Sequence, residues 1–259
     1  MKNKIVAALF LAFILILVPG QFSVKANAAG MDNIISGQSD VELMDWNSAP
    51  ERINVAVQSG DKWNVDVFTG YEMEVPVLIL KQLAGKPVTL AMQTGDGLAV
   101  SISGRDVKSA DKSVRMELST EIMIPEEVSH QITAAASYYR EFAMAEKVPL
   151  PMRCNVHLNM GQENAGKPVI LYYYDEANDI MRLTGIGRVS SSGYAMFGLD
   201  HGDEYLAVVP YGRAYFVQEG DILGKIAESS GISLKALLKK NPQLSDADEI
   251  YPGQMIIVP

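Results

Sequence analysis

A single cysteine, Cys154, stands among 259 residues, so no intramolecular disulfide can form and ordinary burial must hold the fold. The three histidines, His130, His157 and His201, are too scattered to suggest a metal triad by spacing. Basic residues are outnumbered, 22 against 31 acidic ones, for a formal charge of −9. A chain of that sign is repelled by nucleic acid and by anionic lipid, and neither is expected as a partner. Beyond residue 28 no apolar run approaches the roughly 20 residues that a spanning helix needs.

The one long apolar run lies at the start. Met1-Lys2-Asn3-Lys4 is a short positive segment, Ile5 to Val18 is unbroken apolar chain, and Pro19-Gly20 closes it. Ala26-Asn27-Ala28 fits the small-residue pattern of a signal-peptidase site, so residues 1–28 read as a signal peptide and the remainder as an exported protein with no membrane segment. The alternative, an uncleaved anchor, is disfavoured by the shortness of the run. No cysteine follows the run, which argues against a lipid-anchored form. Loss of Lys2, Lys4 and Lys25 would leave 19 basic against 31 acidic residues, a charge of −12.

Residues 29–50 show no clean period and read as a poorly ordered lead-in. From residue 51 to 209 the pattern is β. Ile53, Val55 and Val57 alternate, as do Trp63, Val65 and Val67. Val88, Leu90 and Met92, then Leu98, Val100 and Ile102, flank Thr94-Gly95-Asp96-Gly97 and predict a hairpin. Val114 to Leu118, Met152 to Leu158, Val169 to Tyr174, Ile180 to Val189, Tyr194 to Leu199 and Glu204 to Val209 extend the series. Short helices are predicted at Pro76 to Leu83 and from Pro125 to about Ser137, the latter with Glu126 and Glu127 where the helix dipole favours acids. Ala84-Gly85-Lys86-Pro87-Val88 recurs as Ala165-Gly166-Lys167-Pro168-Val169. Two related units, 51–120 and 145–209, would explain the recurrence; so would a common way of entering a strand. The fold class is multi-domain: mainly antiparallel β, sandwich-like, followed by a small α+β module.

Residues 210–214 read as a linker, after which the period changes. Residues 215–259 read βααβ. Tyr215 to Gln218 is a strand, and Asp221 would cap a helix bearing Ile222, Leu223, Ile226 and Ala227. Gly231 stands where a left-handed residue ends that helix. Ser233 caps a second helix with Leu234, Leu237 and Leu238, and Met255 to Val258 is a last strand. Tyr215, Val217, Gly220, Asp221, Leu223, Ile226, Ala227, Gly231, Leu237, Asn241, Pro242, Tyr251, Pro252, Gly253, Gln254, Ile256 and Pro259 all fall in register with the LysM pattern, which this segment resembles along its whole length.

The resemblance implies a shallow groove for an N-acetylglucosamine-containing glycan, peptidoglycan or a chitin-like polymer. Its first wall would be Gly220, Asp221, Ile222 and Leu223, and its second Ala247, Asp248, Glu249 and Ile250. For Asp221 and Leu223 the plainer roles are cap and core. Ile222 replaces the small hydroxyl residue usual after Gly-Asp, and Asp246, Asp248 and Glu249 make the second loop more acidic than is typical.

Catalytic candidates are few. Cys154 shares its alternation with Met152, Val156 and Leu158 and reads as a core thiol, with His157 on the opposite strand face. Asp200-His201-Gly202-Asp203-Glu204 is the densest polar cluster and reads as a solvated turn rather than a calcium or other metal site. Tyr138-Tyr139 and Tyr172 to Tyr174 read as core and rim rather than sugar-stacking groups. No catalytic residue, metal or cofactor is assigned. The expected function is an exported, cell-wall-associated, non-catalytic glycan binder whose β region serves presentation or protein contact. The alternatives are a peptidoglycan hydrolase with an unrecognised site at Asp200, Asp203 or Glu204, and a spore or septum assembly protein.

Overall fold

A computed structural model describes residues 46–59, 64–68, 73–94, 97–108, 110–116, 118–120, 122–144, 149–244 and 250–259. The expected signal peptide and most of the lead-in lie outside the described residues. The chain forms two compact units. The first runs to Met116 and takes in Pro151–Val156; the second comprises Glu117–Leu150 and His157–Pro259.

Among the described residues the first element of the first unit is helix α1 (Ala49–Ser59), where the alternation of Ile53, Val55 and Val57 predicts a strand. Ala49, Ile53 and Ala56, four and three apart, are buried, whereas Val55 is 58% exposed. Six alternating residues are too few to decide a period, and Pro50-Glu51 suits a helix start. Strands β1 (Asn64–Phe68) and β2 (Glu74–Val75) precede α2 (Val77–Leu83), which follows Pro76 as expected and buries Ile79, Leu80 and Leu83. Gln82 Nε2 ties α2 to α1 through Pro50 O (2.8 Å) and Asn54 Oδ1 (2.7 Å). The predicted hairpin is β3 (Thr89–Gln93) with β4 (Leu98–Ser103), Leu90 opposite Ile102 and Met92 opposite Val100. β1 joins β3 in parallel, made possible by the α2 crossover. β5 (Val114–Arg115) pairs with β2.

In the second unit, β6 (Leu118–Ser119) is followed by α3 (Glu126–Thr133), which buries Val128 and Ile132. The helix is shorter than predicted because the chain turns at once into β7 (Ala136–Met144), a strand its composition does not announce. β8 (Pro149–Asn159) is shared: its residues Pro151–Val156 belong to the first unit, beside β4. β9 (Pro168–Asp175), β10 (Ile180–Arg188), β11 (Tyr194–His201) and β12 (Glu204–Pro210) follow at the expected places. The main sheet has the order β10-β9-β12-β7-β6 and is antiparallel throughout. Pairing with the buried β12 sets β7 as a strand; Phe142 lies opposite Tyr205 and stacks on it at 5.2 Å.

The repeated pentapeptides make alike turns into β3 and β9. Gly85 N–H donates to Gly104 O (2.7 Å) and Gly166 N–H to Val189 O (2.8 Å), both glycines having positive φ.

Between β12 and β13 (Arg213–Phe216) only Tyr211 and Gly212 lie outside strands. The C-terminal module then runs β13, α4 (Leu223–Ser229), α5 (Leu234–Lys240), β14 (Met255–Val258), the βααβ order read from the sequence. Gly231, at φ 72°, ends α4 with paired bonds: its N–H donates to Glu228 O and that of Ile232 to Ala227 O, both 3.0 Å. Ser233 Oγ caps α5 by accepting from Ala236 N–H (3.2 Å).

Candidate functional site

The module's first loop folds back on its own strand. Asp221, expected to cap α4, does not: the helix starts at Leu223, with Ile222 in the cap position and no side-chain cap. The Asp221 carboxylate instead accepts from Gln218 N–H (2.8 Å) and from the Tyr215 hydroxyl (2.7 Å), closing the loop Val217 to Asp221. Those two bonds, the backbone one first, hold its carboxyl below the usual range, and the same contact raises the Tyr215 hydroxyl. Donors of the preceding strand and turn, not the helix amides, hold its carboxylate. That local choice is invisible to a capping rule applied to sequence.

Gly220 is exposed with φ 82°, and Ile222 is 55% exposed. Leu223 is 1% exposed and packs with Val217, Ile226, Leu237 and Ile256, so its part is core. Ile250 is half-buried against the same core. Ala247, Asp248 and Glu249 lie outside the described residues. The structure therefore brings Gly220, Asp221 and Ile222 to one exposed corner and shows Ile250 at the end of the second loop.

Behind this corner Asn241 fastens the last strand. Its buried amide donates to Leu237 O and to Ile257 O (both 2.9 Å) and accepts from Ile257 N–H (2.7 Å). Gln254 closes the turn ahead of β14 by accepting from Tyr251 N–H through Oε1 (3.2 Å). Asn241 works across the module, 16 residues from Ile257, whereas Gln254 acts within its own turn.

Cys154 is fully buried and in no disulfide. His157 is also buried, and burial pushes its pKa down to about 4, so it is neutral at pH 7. Asp200 and His201 end β11 and Glu204 opens β12, leaving Gly202 and Asp203 as the turn. His201 Nδ1 lies 3.6 Å from Asp203 Oδ2. Asp203 Oδ1 accepts from Glu204 N–H (2.9 Å), and Glu204 Oε1 accepts from Met123 N–H (3.0 Å). Among the described residues no three histidine, cysteine or acidic side chains converge to hold a metal. Tyr172 and Tyr174 are buried, while Tyr139 is half exposed.

Residues 215–259 match the LysM domain family. A 47-residue stretch is 47% identical to part of SpoIVD-associated factor A of Bacillus subtilis (strain 168) and 43% identical to part of chlorophenol reductase of Desulfitobacterium hafniense. It is also 47% identical to part of spore coat assembly protein ExsA of Bacillus cereus. The stretch is 18% of this chain but only 12%, 14% and 7% of those three proteins. Three differently named proteins thus match this chain over the module. No solved structure matches the chain. LysM domains bind N-acetylglucosamine-containing glycans such as peptidoglycan and chitin. Residues 215–259 are a LysM domain, and they are the part of this chain that supports glycan binding.

Proposed function

We propose that this protein is exported and held at the bacterial cell wall by its LysM domain, which binds peptidoglycan or a chitin-like glycan. The family match carries the reading, and the exposure of Gly220 and Ile222 supports putting the sugar beside them. Sugar N-acetyl groups would meet backbone there and pack on Ile222, with the second wall from Ala247 to Ile250. A single hydrogen bond to a sugar nets about 1 kcal/mol, so one shallow groove binds modestly. The β region contributes contacts to other proteins and no catalysis.

Purified protein mixed with insoluble peptidoglycan, or with chitin, should pellet with at least one of them. Protein that stays in the supernatant with both would sink the reading. Ile222→Glu alters an exposed side chain, so it should lower the pelleted fraction severalfold without disturbing the fold.

A second reading, a part in spore assembly, is favoured by one relative's name, a spore coat assembly protein. A fluorescent fusion that stays away from the forespore in sporulating cells would dismiss it.

A further inference from the structure

The four residues of β14 face two cores in turn. Ile256 and Val258 pack inside the module with Val217, Leu223, Ile226 and Leu237. Met255 and Ile257 point the other way and pack with Ile170, Tyr172, Met181, Leu206 and Val208 of the main sheet. All four are at most 7% exposed. Ala214 and Phe216 of β13 pack against that second core as well. A two-stranded sheet alone would leave this face in water; here it is as dry as the interior of the module.

The turn ahead of β14 is pinned at the same seam. The Tyr172 hydroxyl donates to Gly253 O at 3.3 Å, across 81 residues of chain. A Cβ on Gly253, which has φ 90°, would sit 3.3 Å from Leu183 Cβ, so the turn lies close against β10. Burial pushes the Tyr251 hydroxyl up to about 12, and burial first, with Tyr251 second, raises that of Tyr172. Directly before this turn stands Ile250, half-buried against the module's own core.

We propose that the main sheet is the fixed support of the LysM domain, with Tyr172 as a positioning residue. Its hydroxyl anchors the turn Tyr251 to Gln254, and through that turn it places Ile250. The module is then no bead on a tether: the groove keeps one orientation relative to β9, β10 and β12. The consequence for affinity rests on the glycan-binding reading, whereas the anchoring of the turn does not.

The test uses the whole chain with Tyr172→Phe, which keeps the buried ring and removes only the hydroxyl. Tyr173→Phe, one residue along and half-buried, is the control. Amide hydrogen exchange at Tyr251, Gly253 and Gln254 reads the turn directly, because these N–H groups bond to Gln254 Oε1, Val217 O and Tyr251 O. Exchange there should quicken about fivefold in Tyr172→Phe and stay put in the control, on the scale of one lost hydrogen bond. Unchanged exchange, or equal quickening in both variants, overturns the anchoring. Affinity for peptidoglycan or chitin should fall about threefold or more in Tyr172→Phe, with the thermal midpoint shifted by no more than a few degrees. Quickened exchange with unaltered affinity overturns the positioning role. If the unaltered protein binds neither glycan, the glycan reading fails, and exchange alone decides whether the sheet anchors the turn.

Discussion

Replacing Asn241 by alanine should cost the second unit about 3 kcal/mol. Asn241 is fully buried, and its amide serves both backbone groups of Ile257 and the carbonyl of Leu237. Alanine strands one donor and two acceptors, and each buried group left unpaired costs roughly 1–3 kcal/mol. The lower end of that range applies to the carbonyls, since the small cavity left by the side chain can admit water to them. For a unit of this size 1 kcal/mol moves the midpoint by roughly 2–4 °C, so the expected fall is about 10 °C. Circular dichroism melts of the whole protein measure it. Because β14 lines both cores, module and main sheet should lose stability together in one transition. Asn241→Asp sharpens the reasoning: it keeps the acceptor for Ile257 N–H but loses both donors and buries a charge. It should be at least as damaging as alanine at pH 7 and partly recover in acid, where the protonated carboxyl can donate again. A loss under about 1 kcal/mol for Asn241→Ala, or a melt in which only the module shifts, would refute the reasoning.

Two further outcomes follow from burial and backbone geometry. His157 binds a proton below about 4 when folded and below roughly 6.5 when unfolded. The unfolded state therefore holds the extra proton between those values, and stability falls as pH drops through that window at up to about 1.4 kcal/mol per pH unit. It levels off below about 4. Chemical denaturation from pH 7 to 4 should show this slope, and His157→Phe should remove most of it. Gly231 at φ 72° has no heavy atom within 4 Å of an added Cβ, so Gly231→Ala tests conformation alone. The expected loss is about 1 kcal/mol, read from the same melts, and no loss would mean the left-handed cap is dispensable.

Much of the C-terminal module is legible because its code is local. A turn glycine, a serine cap and apolar residues three and four apart specify two helices whatever lies around them. Gly231 and Ser233 do in the structure what their neighbours in sequence require. The β region reads well where strands alternate strongly, from Val169 to Val209, and poorly where local preference is weak. Ser137 to Met144 carries Glu, Ala and Met, which suit a helix, yet it is a strand because β12 offers it a partner. Ile53 fits a helix and a strand equally, and only the burial of Ala49 and Ala56 beside it settles the matter. In the candidate site Leu223 is core as read, but the carboxylate of Asp221 turns back to Gln218 and Tyr215.

The sequence by itself determined the βααβ order of residues 215–259, the family they match, and a predominantly β chain ahead of them. Tertiary structure alone decided that β14 belongs to two cores at once. Met255, Ile256, Ile257 and Val258 are an unbroken apolar run, and such a run states that both faces are dry without stating what dries them. The module's helices cover one face; the other is covered by Tyr172 and its neighbours, some 80 residues away in the chain. No local rule reaches that far, because side chains so distant in sequence meet only when the whole sheet has been assembled around them.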